Sequence, residues 1–258
     1  MLVDSHCHLD RLKLDKLANP TLDQVIADAA AAGVGRMLCV GIDMGNADAV
    51  KRIAGQYDTV FASVGVHPCD VSQLIDADTL KQAADHPKVV AIGETGLDYY
   101  YTTDSAAVQQ QSLAMHLDVA GELGLPVIIH TRDARQDTLA LLREHASRDH
   151  AGVLHCFTED WDMARQALDL GFYISFSGIV TFKNAVELQQ VARQVPLDRL
   201  LVETDSPYLA PVPFRGKPNF PCHVREVAQF IADLRQLPLE QLADATTTNF
   251  FRLFRRAA

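Results

Sequence analysis

Short runs of β-branched and other apolar residues recur along the chain, separated by longer stretches whose apolar positions fall at helical spacing. The runs lie at 2–4, 36–40, 60–64, 89–92, 126–129, 152–154, 172–175 and 200–202, and they predict strands. Amphipathic segments at 22–32, 106–123, 138–146 and 184–195 predict helices, with stop signals at Gly33 after an alanine run and at Gly124 before Pro126. Eight strand–helix units within about 205 residues imply an α/β fold, a closed (β/α)8 TIM barrel. A doubly wound open sheet is the competing arrangement.

Nothing divides the chain, so residues 1–258 read as a single barrel domain. The exception to its regularity is 205–222, where Pro207, Pro211, Pro213, Pro218 and Pro221 impose an irregular loop. Following the eighth strand, that loop belongs over the mouth of the barrel. Two closing helices are expected at 224–234 and 239–254.

Composition narrows the partners. The 258 residues are 48% hydrophobic and 22% charged, an ordinary globular balance. Lys and Arg number 23 against 33 Asp and Glu, a net charge of −10, which disfavours passive coating of duplex DNA or of a membrane surface. If the protein handles nucleic acid, a bound metal must attract the phosphates. Five cysteines without a CxxC pair read as reduced thiols of a cytoplasmic protein, and a start without a basic, apolar leader agrees. No run is long enough to span a membrane.

The chemistry sits at the strand ends. His6 and His8 follow the first strand and His67 the third, while Glu94 ends the fourth, His130 the fifth, His155 the sixth and Asp205 the eighth. In a barrel these ends converge on one face. Any one of these histidines alone is more often a hydrogen-bonded loop residue. Five of the ten together, with two carboxylates, point to a divalent-metal centre. His6-x-His8 on extended backbone puts both imidazoles on one side and turns Cys7 away. The same parity makes Cys156, beside His155, a buried thiol. His86, His116, His145, His150 and His223 fall in or beside helices and read as structural or solvated. There is no phosphate-binding GxxxxGK[ST] loop, no GxSxG elbow and no structural-zinc spacing.

The motifs Asp4-Ser5-His6-Cys7-His8-Leu9-Asp10, Gly65-Val66-His67-Pro68, Gly93-Glu94-Thr95-Gly96-Leu97-Asp98, Ile129-His130-Thr131-Arg132, Leu154-His155-Cys156-Phe157 and Glu203-Thr204-Asp205-Ser206-Pro207 span nearly the whole chain. In this order the sequence resembles the TatD family of metal-dependent deoxyribonucleases, among the amidohydrolase-like barrels. The resemblance implies two divalent cations (Mg, Mn, Zn or Fe), one held by His6, His8, Glu94 and Asp205 and the other by Glu94, His130 and His155, with Glu94 bridging. It further implies a metal-activated water whose proton Asp205 accepts. His67, Arg132, Arg215 and Lys217 are expected to receive the phosphate, and Asp4 and Glu203 to orient ligands from behind. Tyr99, Tyr100 and Tyr101 either stack on a base or pack structurally.

The resemblance implies DNA as substrate and a 3′→5′ exodeoxyribonuclease, the acidic balance favours action on single-stranded or frayed ends over a grip on duplex, and a monomer is the default for one complete barrel. An amide, ester or aminoacyl hydrolase using the same two-metal site is the alternative, and a metal-binding scaffold with a vestigial site the third reading. Arg215 and Lys217 distinguish the first from the second, because an amide gives no reason for two cations there.

Overall fold

The computed structural model describes residues 1–17, 21–71, 74–101 and 103–258. Eight parallel strands run in sequence order around one sheet: β1 Leu2–Cys7, β2 Val34–Val40, β3 Val60–Val64, β4 Val89–Asp98, β5 Val127–Arg132, β6 Gly152–Leu154, β7 Tyr173–Phe176 and β8 Leu200–Val202. The helices are α1 Leu22–Ala31, α2 Ala47–Gln56, α3 Ala77–Ala84, α4 Ala106–Leu123, α5 Arg135–His145, α6 Trp161–Asp169, α7 Val186–Gln194, α8 Val224–Arg235 and α9 Leu239–Leu253. The barrel is the expected one, and no open doubly wound sheet forms.

Local chemistry sets the helix ends. Thr21, Asp76 and Asp160 each accept the backbone N–H of the residue three positions on, which starts α1, α3 and α6. Gly124 adopts the left-handed conformation that stops α4. Burial then divides into two layers. Val3, Leu38, Val40, Phe61, Val90, Ile128, Val153, Tyr173 and Leu201 fill the barrel interior, where Phe250 and Phe254 at the end of α9 pack against them. The opposite faces of the strands meet the surrounding helices in a larger apolar layer.

β1 closes the ring against the turn after β8. Cys7 bridges to Ser206, His8 N–H donates to Ser206 O at 2.8 Å, and Asp205 N–H donates to His6 O at 2.9 Å. The buried Asp4 carboxylate accepts the Thr204 backbone N–H at 2.8 Å and its hydroxyl at 2.6 Å. Asp4 therefore ties β1 to β8, and burial pushes its carboxyl up to about 8 against those bonds.

β4 and β5 run further than the apolar runs suggest and stay paired from Thr95–Ile129 out to Asp98–Arg132. Gly96 makes this possible. A Cβ there would lie 1.9 Å from His130 O, and its φ of +147° suits glycine alone. The 205–222 segment is the irregular loop expected. Asn219 pins it by donating to Thr204 O at 2.9 Å and to Tyr208 O at 2.6 Å. Among the described residues no helix is long and apolar enough to cross a membrane, and all five cysteines are free thiols.

Candidate metal centre

The polar strand ends converge on Glu94, which is 3% exposed at the C-terminal mouth of the barrel. Its two oxygens divide the imidazoles between them. Oε2 lies 3.4 Å from His6 Nε2 and 4.0 Å from His8 Nε2. Oε1 lies 2.8 Å from His155 Nε2, 3.3 Å from His130 Nδ1 and 3.4 Å from His67 Nε2. On the Oε2 side, Asp205 Oδ1 is 3.4 Å from His8 Nε2 and 3.8 Å from His6 Nε2. The period-2 expectation for His6 and His8 is met, because their Nε2 atoms approach to 3.3 Å.

Behind these groups stand the supports. Glu203 Oε1 contacts His155 Nδ1 at 3.2 Å, so this glutamate does meet one of the clustered imidazoles from behind. Asp4 lies beneath His6 and meets only its backbone N–H, at 3.4 Å, while its main bonds go to Thr204. The buried support that sequence reasoning overlooked is Asp98, whose Oδ2 lies 3.0 Å from His130 Nε2. Its other oxygen accepts the Tyr100 and Tyr101 backbone N–H groups at 3.0 and 2.8 Å. The available signal was that Asp98 sits four residues beyond Glu94 in one strand, on the same face.

Cys156 departs from the buried thiol expected. It takes φ +43°, which breaks strand alternation, and its half-buried Sγ lies 3.1 Å from Ser177 Oγ beside the cavity. Cys7 is fully buried, with Sγ donating to Leu38 O.

The cluster opens into a cavity of about 800 Å³ lined by His8, His67, Glu94, His130, His155 and Asp205, and by Arg132 among others. Arg132 ends β5, with its guanidinium carbon 4.0 Å from the Tyr100 ring centre and 4.6 Å from that of Tyr101. Arg215 and Lys217 are exposed on the loop after β8 and are not among the lining residues. Arg215 lies over the Phe182 ring instead, 4.1 Å from its centre. Tyr99 packs structurally, donating its hydroxyl to Asp137 at 2.8 Å. His116 is buried in α4, where Nε2 accepts the Val66 backbone N–H at 3.1 Å.

Charge compensation inside the cluster is extensive. Burial pushes the Glu94 carboxyl up, but the imidazoles of His155, His67 and His130 outweigh it and hold the group well below the usual carboxylate range. Burial likewise opposes charge on His155, yet Glu94 and Glu203 hold its imidazole well above the ordinary value. The same contest raises His8 through Asp205, and His130 through Asp98 and Glu94. Burial wins at His67, which falls to about 4, and at His6, where the neighbouring His155 adds to it.

The donor set suits divalent cations. His6, His8 and Asp205 bring ligand atoms within 4.8 Å of one another, as do His67, Glu94 and His130, and also His6, His155 and Glu203. Imidazole and carboxylate donors match borderline divalent ions. His6 Nδ1 and Glu203 Oε2 are buried without a hydrogen-bond partner, so the cluster has polar capacity that its own side chains do not meet. These buried clusters are consistent with a binuclear metal site. A cation bound there would compete with protons for the imidazoles of His8, His130 and His155, each raised above its ordinary value by neighbouring carboxylates.

Residues 3–255 match the family described as TatD related DNase. The chain belongs to the TatD family. Among its relatives is the uncharacterized metal-dependent hydrolase YcfH of Escherichia coli K12, 54% identical over 253 residues, covering 98% of this chain and 95% of the relative. The uncharacterized metal-dependent hydrolase YabD of Bacillus subtilis is 40% identical over 257 residues, covering 99% of each. Among solved structures, the TatD homologue YjjV of Escherichia coli superposes with a TM-score of 0.89 at 31% identity, covering 98% of each chain. The protein is thus a metal-dependent hydrolase of the TatD family, and deoxyribonuclease activity enters through the family's name.

Proposed function

We propose that this TatD protein is a 3′→5′ exodeoxyribonuclease that hydrolyses terminal phosphodiesters of single-stranded or frayed DNA. The observation that carries the reading is the division of Glu94, with one oxygen toward His6 and His8 and the other toward His130 and His155. In that arrangement His6, His8, Glu94 and Asp205 would hold one divalent cation, and Glu94, His130 and His155 a second. When bound, the pair supplies Lewis acidity that acidifies water and offsets phosphate charge.

The chain's own residues do the rest. Asp205, held well ionised by His8, is placed to take a proton on its carboxylate. Glu203 and Asp98 fix the tilt of His155 and His130. Arg132 and His67 line the cavity and are assigned to the non-bridging phosphate oxygens, Arg132 with a fork suited to two of them. Arg215 and Lys217, on the loop that also carries the cavity-lining Tyr208, are assigned to the trailing strand outside the pocket.

An amide or ester would meet the same cluster. The placement of Arg215 and Lys217 outside the cavity lining leaves Arg132 as the main argument for phosphate.

The test uses metal-stripped protein re-supplied with Mg²⁺, Mn²⁺ or Zn²⁺, a 3′-labelled single-stranded oligonucleotide and a Glu94→Ala control. Mononucleotide release from the labelled end that requires metal and vanishes in the control is expected. Metal binding without release under any ion would transfer the reading to the amide or ester hydrolase.

A further inference from the structure

The exposed aromatic side chains are distributed unevenly. Among the described residues the large exposed apolar or aromatic side chains are Met1, Leu74, Tyr100, Tyr101, Val186, Tyr208 and Val212, so every aromatic one is a tyrosine after β4 or after β8. Strands four and eight stand half a turn apart in a closed ring of eight. Tyr101 and Tyr208 therefore flank the mouth from opposite sides, and both line the cavity that holds the histidine cluster. Tyr208 is half exposed, and its ring centre is 6.0 Å from that of His8 in an edge-on arrangement. Tyr101 is 65% exposed and rests against the Arg132 guanidinium.

Exposed aromatic rings are costly to leave in water, and the partial packing of Tyr101 on Tyr100 and Arg132 and of Tyr208 beside His8 leaves half or more of each residue exposed. The Tyr101 backbone is nonetheless fixed, since its N–H is held by the buried Asp98 carboxylate. The Tyr208 backbone is held at both ends, its N–H donating to Asp205 O at 2.9 Å and its carbonyl accepting from Asn219. Both rings are thus presented on anchored backbone. A net charge of −10 denies this protein a long electrostatic grip on a polyanion, so affinity must be gathered locally. A π-face offered to a base gathers it without reading sequence.

We infer that Tyr101 and Tyr208 form a two-sided stacking site for unpaired nucleobases at the cavity mouth, selecting a strand end by its exposed bases. This rests on the nuclease reading and goes past it, because it assigns the choice of single-stranded over paired ends to two tyrosines. A paired terminal base keeps one face stacked on its neighbour and its edge bonded to the opposite strand, so it cannot lie between the two tyrosines as an unpaired base can. The site is indifferent to base identity, and Arg132, packed against Tyr101, links base capture to the phosphate position.

The test compares oligothymidylates whose 3′-terminal residues carry thymine or are abasic. Binding to the metal-loaded protein is read by anisotropy on fluorescein-labelled, cleavage-resistant phosphorothioate versions, and digestion on ordinary ones. The wild type is expected to prefer the base-bearing strand by about tenfold or more in both readouts. Tyr208→Ala and Tyr101→Ala are each expected to shrink that preference toward unity, while Tyr208→Phe retains it. A wild type that binds and digests both strands alike, or alanine variants that keep the full preference, would overturn the stacking site while the nuclease reading stands. A wild type that neither binds nor digests DNA under any metal would remove the nuclease reading and this inference together.

Discussion

A single carboxylate, Asp98, faces two ways. One oxygen holds the His130 ring and the other holds the backbone on which Tyr100 and Tyr101 are mounted. Removing its charge therefore loosens an imidazole of the cluster. Asp98→Asn is expected to weaken divalent-metal affinity about 10- to 100-fold, by isothermal titration of the stripped protein. An unchanged affinity would mean that His130 is held by packing alone. The residue types of the cluster were legible, because histidines and acids after successive strands of a barrel have one place to meet. The role of Asp98 was not, since an acid two residues past a glycine looks like any loop residue until the strand is known to continue. Cys156 was misread for a related reason: a single left-handed residue reverses the parity on which alternation depends.

At the level of elements, the join between α4 and the loop after β3 depends on His116. Its Nε2 accepts the Val66 N–H, and its Nδ1–H donates to Ser112 O at 2.7 Å. Burial lowers this imidazole to about 4 from an ordinary 6.5. The neutral form is favoured in the folded chain, so its contribution is complete above about pH 6.5. As the pH falls from there toward 4, the unfolded chain takes up a proton that the folded chain refuses, and roughly 3 kcal/mol is lost. His116→Leu is expected to cost about 1–3 kcal/mol at pH 7.5 through the unsatisfied Val66 N–H. In urea unfolding it should also show a shallower loss between pH 6.5 and 4 than the wild type. Equal slopes would acquit His116 and leave the acid sensitivity with His67 and His223, which burial lowers in the same direction. Strand order and the two closing helices were readable from periodicity. The lengths of β4 and β5 were not, because their outer halves carry Gly, Thr, Asp and Arg and resemble loop.

Across the molecule, the barrel gathers at one end the polar groups that its core excludes, and there a cation and the fold stabilise each other. Re-supplying Mn²⁺ or Zn²⁺ at about a hundredfold over its Kd is expected to add roughly 3 kcal/mol, about 5–10 °C in Tm. The rise should be larger at pH 8 than at pH 6, because protons on His8, His130 and His155 must leave first. Differential scanning calorimetry on wild type and Glu94→Ala checks both, and a rise of equal size in the variant would place the binding elsewhere. The (β/α)8 architecture itself was the most legible property of the chain, since eight repeats of one pattern over-determine it.

The seam between β1 and the turn after β8 has a consequence for how the protein is made. Asp205, which lies beside His6 and His8 and closes the ring through Ser206, emerges from the ribosome some two hundred residues after those two histidines. At about 5–20 residues per second that interval lasts roughly 10–40 s. Throughout it, one edge of β1 stands unpaired and the histidines lack their closing carboxylate. The His6–His8–Asp205 grouping therefore cannot form until β8 and the turn after it have been made.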